Sequence, residues 1–351
     1  MRITPPFKVI VRMAPARWIR IVSATLLCSI STVAGAQDAI VEPDIQAVAE
    51  SKTAPTDVLL VVGAGGTDEY ESTFQKWSAI WENNCQTAGL NLLQLGPEPS
   101  TENTTVKAEL ESFLKQSGAL EASDQPLWII LIGHGTWDGK AAKFNLVGPD
   151  ASGEELDQWL SSIRRPLIVA NCTSSSAPFI NRVSSPGRIV ITATRNGSEH
   201  NFAIFGKYLA EAFGSIDADL NHDDEVSAKE AFIRASIETQ RFYDEQGRLS
   251  SEHALIDDNA DKKGSEVELV RGIKVSKSKA AVDGVAADGY SILVNSELKP
   301  QTPEQRAERQ RLESELESLK SQYADESKET LRQAAIPVLM QLAALYEDKA
   351  E

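Results

Sequence analysis

Apolar and polar positions follow each other along the chain in a pattern that predicts strands and helices in turn. The clearest candidate for a buried strand is the continuous apolar run "LWIILIG" at residues 127–133. Similar runs lie at 57–66, 90–96, 166–172 and 187–194. Apolar side chains at helical spacing lie between the strands, at 70–89, 104–118, 153–163 and 201–214. This alternation predicts an α/β fold, in which a mostly parallel sheet carries helices on both faces.

The C-terminal part of the chain has a different composition. Residues 290–300 are typical of an edge strand, and the segment 303–347 is rich in Glu, Lys, Arg, Leu and Ala. This segment predicts one long helix or a helical hairpin, and Pro337 is expected to kink or break it. We therefore separate a C-terminal helical extension, 299–351, which could bind a helical partner or mediate self-association.

The N-terminal segment is typical of a secretory signal. Residues 1–36 contain five basic residues and no acidic one, then an apolar run at 21–34 and the small residues Ala34-Gly35-Ala36. An uncleaved anchor is the alternative, but the apolar run is short for a bilayer span. We expect cleavage, a linker at 37–56, a main domain at 57–298, and a periplasmic or secreted protein with no membrane span in the mature chain.

Net charge and cysteine usage narrow the possible partners. Removing the five basic residues takes the formal charge from −16 to −21, which argues against nucleic acid and anionic membranes as partners. Cys85 and Cys172 remain in the mature chain. Two cysteines of an exported protein could form a disulfide, but the sequence around each favours a free thiol.

A histidine and a cysteine follow two of the predicted strands. His134 stands between Gly133 and Gly135 after the third strand, and Cys172 follows the fourth. Chemistry in open α/β sheets lies at the carboxyl ends of the strands, and adjacent parallel strands would bring these two side chains near each other. A histidine base and a cysteine nucleophile are the minimal parts of a thiol hydrolase. The amides of Gly135 and Cys172 could then stabilise an oxyanion.

Each of these residues also has an ordinary structural interpretation. A histidine after a strand is commonly a hydrogen-bonded structural residue, and a cysteine there is commonly a small core side chain. Their occurrence together on successive strands favours catalysis.

The motifs "LIGHG" and "IVANCTSSSAPF" resemble those of the caspase-like cysteine peptidases, and most closely the legumain-like family of bacteria. The resemblance covers about residues 57–264. It implies a caspase-like three-layer sandwich and an endopeptidase that acts on peptides or proteins without an organic cofactor, with His134 as general base and Cys172 as nucleophile. Two residues depart from the family's motif: Asn171 precedes the cysteine, and Ser175 replaces a glycine. These departures concern substrate preference and activity.

The specificity pocket does not transfer residue by residue. The segment 191–206 contains the end of the strand that lines this pocket in the relatives, and Arg195 and Glu199 are its candidate substrate-binding residues. Ordinary loop charges are the alternative. Two other functions stay open: a non-catalytic, calcium-stabilised binding or scaffold protein, and a different thiol hydrolase such as an amidase or a transpeptidase.

The segment "DLNHDDEVSAKE", 219–230, has the spacing of an EF-hand calcium loop. The expected ligands are Asp219, Asn221, Asp223, the backbone carbonyl of Glu225, and Glu230. Asp224 stands where glycine usually permits a sharp turn, but aspartate tolerates left-handed geometry better than most residues. We expect a structural Ca²⁺ ion here, with a solvated acidic turn as the alternative. The segment 257–268 repeats the spacing only loosely, since Lys262 and Lys263 interrupt it.

Overall fold

The computed structural model describes residues 56–274, 282–294, 303–323 and 327–347. The predicted signal peptide and nearly all of the predicted linker lie outside these residues. The strands are β1 Val58–Val62, β2 Leu92–Leu95, β3 Leu127–Ile132, β4 Gly135–Trp137, β5 Ala142–Phe144, β6 Ala151–Ser152, β7 Leu167–Asn171, β8 Arg188–Thr192, β9 Glu225–Ser227, β10 Leu255–Asp257 and β11 Ser291–Val294. The helices are α1 Asp68–Ala88, α2 Val106–Gly118, α3 Gly153–Leu160, α4 Ile180–Val183, α5 Phe205–Phe213, α6 Ala228–Glu245, α7 Val267–Val270, α8 Pro303–Gln322 and α9 Lys328–Glu347.

A six-stranded sheet forms the centre of the fold. Its order is β10-β8-β7-β3-β1-β2, and all neighbours are parallel except the edge strand β10, which runs antiparallel to β8. Helices α1, α5 and α6 cover one face, and α2, α3 and α4 cover the other. The predicted three-layer α/β sandwich with a mostly parallel sheet is therefore confirmed.

Burial on both faces explains why the inner strands lack the alternation of a half-exposed sheet. Every residue of β1, β3, β7 and β8 is buried. Side chains that alternate along a strand enter two different cores: Ile130 packs with the α1–α5 side, and Leu131 packs with the α2–α3 side.

Local signals in the sequence place several helix ends. The hydroxyl of Thr67 accepts a hydrogen bond from the amide of Tyr70 at the start of α1, and Gly89 ends this helix in the left-handed region with a φ of 69°. Ser152 and Glu155 form a capping box at the start of α3.

The segment 290–300 contains a strand, as expected, but this strand does not lie at the edge of the main sheet. Strand β11 pairs with β9 in a separate two-stranded sheet, whereas the edge of the main sheet is β10. Strands β4, β5 and β6 form a third, antiparallel sheet directly after His134.

The C-terminal extension contains two helices that contact each other, α8 and α9. Of the two alternatives, a hairpin is therefore correct. The chain leaves the first helix at Gln322, and Pro337 lies inside the second one without ending it. Nowhere in the described part of the chain does a helix combine the length and the apolar character needed to cross a membrane.

Candidate functional site

His134 and Cys172 lie at the tips of two neighbouring parallel strands. Strands β3 and β7 pair with Leu131 opposite Asn171, and the amide of Cys172 donates to the carbonyl of Leu131 at 3.0 Å. The thiol packs on the sheet face that α1 covers, and the imidazole contacts rings of the same helix. The two side chains therefore share one edge and one face of the sheet.

The imidazole of His134 is oriented by the loop after β1. Its Nε2 atom lies 3.2 Å from the carbonyl oxygen of Gly65. Because a carbonyl only accepts, Nε2 must carry the hydrogen, and Nδ1 of the neutral ring is then the proton acceptor. This is the arrangement of a base that a third group holds in one tautomer.

Aromatic rings surround this imidazole and remove part of its hydration. Tyr70 and Phe74 of α1 pack edge-on against it, with ring centroids 4.7 and 5.3 Å away, and Phe202 lies at 6.1 Å. This burial lowers the pKa of His134 below its ordinary value, although the carbonyl of Gly65 acts in the opposite direction. The ring is therefore neutral near pH 7, as a general base must be.

The thiol of Cys172 is in the core. The residue is 1% exposed, and its Sγ atom makes a long contact of 3.9 Å with the carbonyl oxygen of Ala170. A Cβ atom on Gly206 of α5 would lie only 2.7 Å from the Cβ of Cys172, so the helix backbone lies directly against this side chain. Burial, and secondarily the charge of Glu252, raise the pKa of Cys172, which keeps the thiol protonated at neutral pH.

The two side chains make no hydrogen bond with each other among the described residues. Each one contacts a backbone carbonyl instead, that of Gly65 for His134 and that of Ala170 for Cys172. The structure therefore places the predicted base and the predicted nucleophile at adjacent strand tips without joining them.

The amides expected to stabilise an oxyanion are both engaged. The amide of Cys172 belongs to the β3–β7 ladder, so it is not available to an oxyanion, and the expectation for this amide is corrected. The amide of Gly135 donates to the hydroxyl of Ser174 at 3.4 Å, and the same hydroxyl donates to the carbonyl of Gly135 at 3.2 Å. Only a displacement of Ser174 would free that amide for a substrate.

The same contact explains one of the glycines around His134. A Cβ atom on Gly135 would lie 2.3 Å from the carbonyl oxygen of Ser174 and 2.4 Å from Oγ1 of Thr173. Glycine is thus required for close approach of this backbone to the turn after Cys172.

The candidate specificity residues lie in the loop after β8. Arg195 and Glu199 form an ion pair at 3.2 Å, and the Glu199 carboxylate also accepts from the amides of Arg195 and His253. Nδ1 of His253 lies 2.7 Å from the same carboxylate. The side chain of Glu199 is 11% exposed, and these contacts hold the loop together. Its carbonyl also accepts from the amide of Ser175, which ties this loop to the turn after Cys172.

Arg195 lines a cavity of about 640 Å³ next to the site, together with His253 and Glu252. Glu252 is 2% exposed and accepts from the amides of Ile204 and Phe205 at the start of α5. Burial raises the pKa of Glu252 to about 7, against the effect of these hydrogen bonds. Sequence reasoning missed His253 and Glu252, because neither follows a predicted strand nor belongs to a motif.

The predicted EF-hand loop follows α5, contains β9 and ends in the first turn of α6. The carboxylate of Asp219 accepts from the amides of His222, Asp223 and Asp224. Asp224 adopts the left-handed region with a φ of 64°, the conformation for which glycine is usually chosen at this position. The Glu230 carboxylate accepts from the amides of Leu220, Asn221 and Ser227, and so joins the two ends of the loop.

The spacing of the acidic oxygens fits one calcium ion. One carboxylate oxygen from each of Asp219, Asp223 and Glu230 lies within 4.8 Å of the others. Oxygens at 2.3–2.6 Å from a common ion are at most about 5 Å apart. All three side chains are buried; Asp219 and Glu230 are 8% and 3% exposed, and the side chain of Asp223 is 8% exposed.

The looser repeat at 257–268 shows no comparable group of three ligands within the described residues. The Asn259 and Asp261 side chains accept instead from amides two residues further on, and Glu268 pairs with Lys274. These are ordinary turn and surface contacts.

Comparison with known proteins gives limited matches. No family model and no curated protein matches the chain, so the expected bacterial legumain-like family is not confirmed. Among solved structures, the Drosophila initiator caspase Dronc matches at 14% identity and a TM-score of 0.40, over 59% of this chain and 81% of that one. Caspase-1 from Spodoptera frugiperda matches at 10% and 0.39, over 58% and 86%. Protein GSU0716 from Geobacter sulfurreducens matches at 10% and 0.36, over 52% and 89%.

Proposed function

We propose that the chain is an exported cysteine endopeptidase of the caspase-like, legumain-like type, in which His134 is the general base and Cys172 the nucleophile. One observation carries this proposal: an imidazole whose Nε2 is held by the Gly65 carbonyl stands at the strand tip next to the one that bears the cysteine. A pre-oriented base beside a thiol is the arrangement that thiol hydrolysis requires.

The proposed reaction proceeds through an acyl-enzyme. Nδ1 of His134 takes the proton from the Cys172 thiol, and the resulting thiolate attacks the carbonyl carbon of a peptide bond. The imidazolium then protonates the departing amine. A water molecule, deprotonated by His134, hydrolyses the thioester and restores the free thiol. The amide of Gly135 stabilises the oxyanion once Ser174 releases it.

The burial of Cys172 makes this a resting state that must open. The thiol faces the start of α5, where Gly206 covers it. We propose that substrate binding displaces this segment together with the Ser174 turn. Because opening costs free energy, basal turnover is expected to be slow.

Cleavage of a denatured protein by the mature chain tests the proposal. We expect Cys172→Ala and His134→Ala to abolish cleavage, while Cys85→Ala, which removes the other buried thiol, keeps it. Equal cleavage by all four proteins would end the proposal.

The second candidate is a non-catalytic, calcium-stabilised binding or scaffold protein. A specific observation favours it: Cys172 is 1% exposed and its raised pKa leaves almost no thiolate. In this case neither the parent protein nor any variant cleaves a substrate. Partner binding would occur through the C-terminal helices, and Cys172→Ala would keep it in full.

We also propose that Asp219, Asn221, Asp223, Glu225 and Glu230 bind one structural Ca²⁺ ion, with Glu225 contributing its carbonyl. The distances among the acidic oxygens support this. Isothermal titration with Ca²⁺ tests it, and one binding site that Glu230→Gln removes is the expected result.

Export is proposed from the N-terminal segment alone. The expected result is a periplasmic or secreted chain whose mass corresponds to cleavage after Ala36. Mass spectrometry of the fractionated protein measures this, and a full-length chain in the cytoplasmic fraction would contradict it.

A further inference from the structure

An arginine of the C-terminal extension reaches into the acidic loop. Arg309 of α8 is 1% exposed, one of the largest fully buried side chains in the described residues. Its Nη1 atom lies 3.0 Å from Oδ2 of Asp223 and 3.5 Å from Oε2 of Glu225, and its Nη2 lies 3.4 Å from the carbonyl of Asp288. The helical extension thus contributes a permanent positive charge to the loop.

This contact uses an oxygen that the calcium site needs. Asp223 holds the fifth position of the loop, and its Oδ1 accepts from the amide of Glu225 at 3.0 Å. Its Oδ2 is shared between Arg309 and the side-chain amide of Asn221. Both oxygens of this carboxylate therefore already accept hydrogen bonds, and Oδ2 also lies against the positive charge of Arg309.

Charge makes the guanidinium and a divalent ion mutually unfavourable at this place. Two cations a few ångströms apart repel each other strongly where water is excluded. Calcium affinity of EF-hand loops follows the number of negative ligands and the rigidity of the loop. A guanidinium against Asp223 therefore cancels one of these negative charges.

We propose that Arg309 is an internal counter-ion that competes with Ca²⁺ for Asp223, and that calcium binding thereby weakens the docking of the C-terminal helices. This inference rests on the proposed calcium site. Because such coupling is reciprocal, undocking of α8 must strengthen calcium binding by the same factor by which calcium weakens docking. Arg309→Gln removes the competing charge and should therefore strengthen calcium binding as well.

The docking region leaves room for such an exchange. A cavity of about 460 Å³ lies beside Asp223 and Asp288 and is lined on its other side by Leu316 of α8 and Leu339 of α9. The loop is therefore not sealed by apolar packing at this point, and the cavity borders the residue that Arg309 holds.

Calcium titration of full-length mature protein tests the proposal. We expect Arg309→Gln to bind Ca²⁺ at least tenfold more tightly than the parent. The matched control is Arg311→Gln, two residues away in the same helix, where the guanidinium pairs with Glu308 and Glu315 instead of with the loop. It should change the affinity less than twofold.

A measurement on the unmodified chain covers the case in which Arg309→Gln does not fold. Hydrogen exchange of α8 should become faster when Ca²⁺ is added to the parent protein. Equal affinities of parent and Arg309→Gln, or slower exchange in α8 with Ca²⁺, would overturn the competition while leaving the calcium site intact. No binding by either protein would end the calcium site and the competition together.

Discussion

Nε2 of His134 donates to the carbonyl oxygen of Gly65, which holds the imidazole in one orientation at the tip of β3. The partner is a backbone atom of the loop after β1, so the orientation depends on the fold rather than on another side chain. The contact leaves Nδ1 as the basic nitrogen. In the proposed reaction, the partner of this nitrogen is the covered thiol on the next strand.

The first prediction concerns the titration of His134. Burial lowers the pKa of the His134 imidazole in the folded chain below 6.5, its ordinary value. At a pH between the folded and the ordinary pKa, the unfolded chain therefore binds one proton more than the folded chain. The contribution of the neutral ring to the free energy of unfolding is fully present above pH 6.5. It is lost as the pH falls from 6.5 through the pKa of the folded imidazole. NMR titration of the histidine Cε1 protons measures this, with His134→Gln to assign the signal. A midpoint at or above 6.5 would contradict the described environment.

The second prediction concerns the close contact between α5 and Cys172. Gly206→Ala places a methyl group 2.7 Å from the Cβ of Cys172 and 3.3 Å from the ring of Trp77. We expect a loss of about 1–3 kcal/mol of unfolding free energy from overpacking. The control is Gly153→Ala in α3, where the nearest atom would lie 3.4 Å away. Urea unfolding of both variants measures the difference, and equal stabilities would show that α5 is not packed on the thiol.

The third prediction concerns the buried Glu252. Burial raises the pKa of its folded form to about 7 from the ordinary 4.5. The folded state therefore holds a proton that the unfolded state has lost between these values, and stability falls as the pH rises from 4.5 to 7. Glu252→Gln should flatten this part of the stability profile, measured by urea unfolding at several pH values. Glu211→Gln, on the exposed side of α5, should retain the slope. Identical profiles for both variants would show that the raised pKa of Glu252 does not cause the slope.

The fourth prediction concerns the stability that calcium confers. A ligand that binds only the folded state stabilises it by about 2.7 kcal/mol at a hundredfold excess over Kd. Thermal unfolding should therefore shift upward with Ca²⁺ and return with a chelator. Glu230→Gln should remove the shift, while Glu245→Gln at the far end of α6 should keep it. A chelator without effect on the parent would contradict a structural role for the ion.

Much of the fold was accessible from the sequence because burial on both faces leaves a simple signal. Continuous apolar runs mark β1, β3, β7 and β8. The last three end within two residues of the predicted end, whereas β1 ends at Val62, before the glycines that close the predicted run. The cap at Ser152 is visible because a capping box depends on residues three apart. Strand β10 was missed because its three residues lie within an acidic segment and pair with β8 through the backbone.

The site was only partly accessible for a different reason. The predicted strand order places His134 beside Cys172. The pattern of apolar and polar residues does not predict, however, that α5 covers the thiol at Gly206. The partners Gly65 and Arg309 are distant in the sequence from the groups that they contact. Their roles depend on tertiary approach, for which the sequence contains no local signal.

Covalent trapping of Cys172 is the measurement that tests the peptidase account most directly. The mature protein is incubated with a peptide carrying an electrophilic carbonyl mimic, and the adduct is located by intact and peptide mass spectrometry. We expect one adduct on Cys172, none on Cys85, and loss of the adduct in His134→Ala. An unmodified Cys172 in parent protein that is folded and calcium-loaded, or an adduct whose rate is unchanged in His134→Ala, would contradict it.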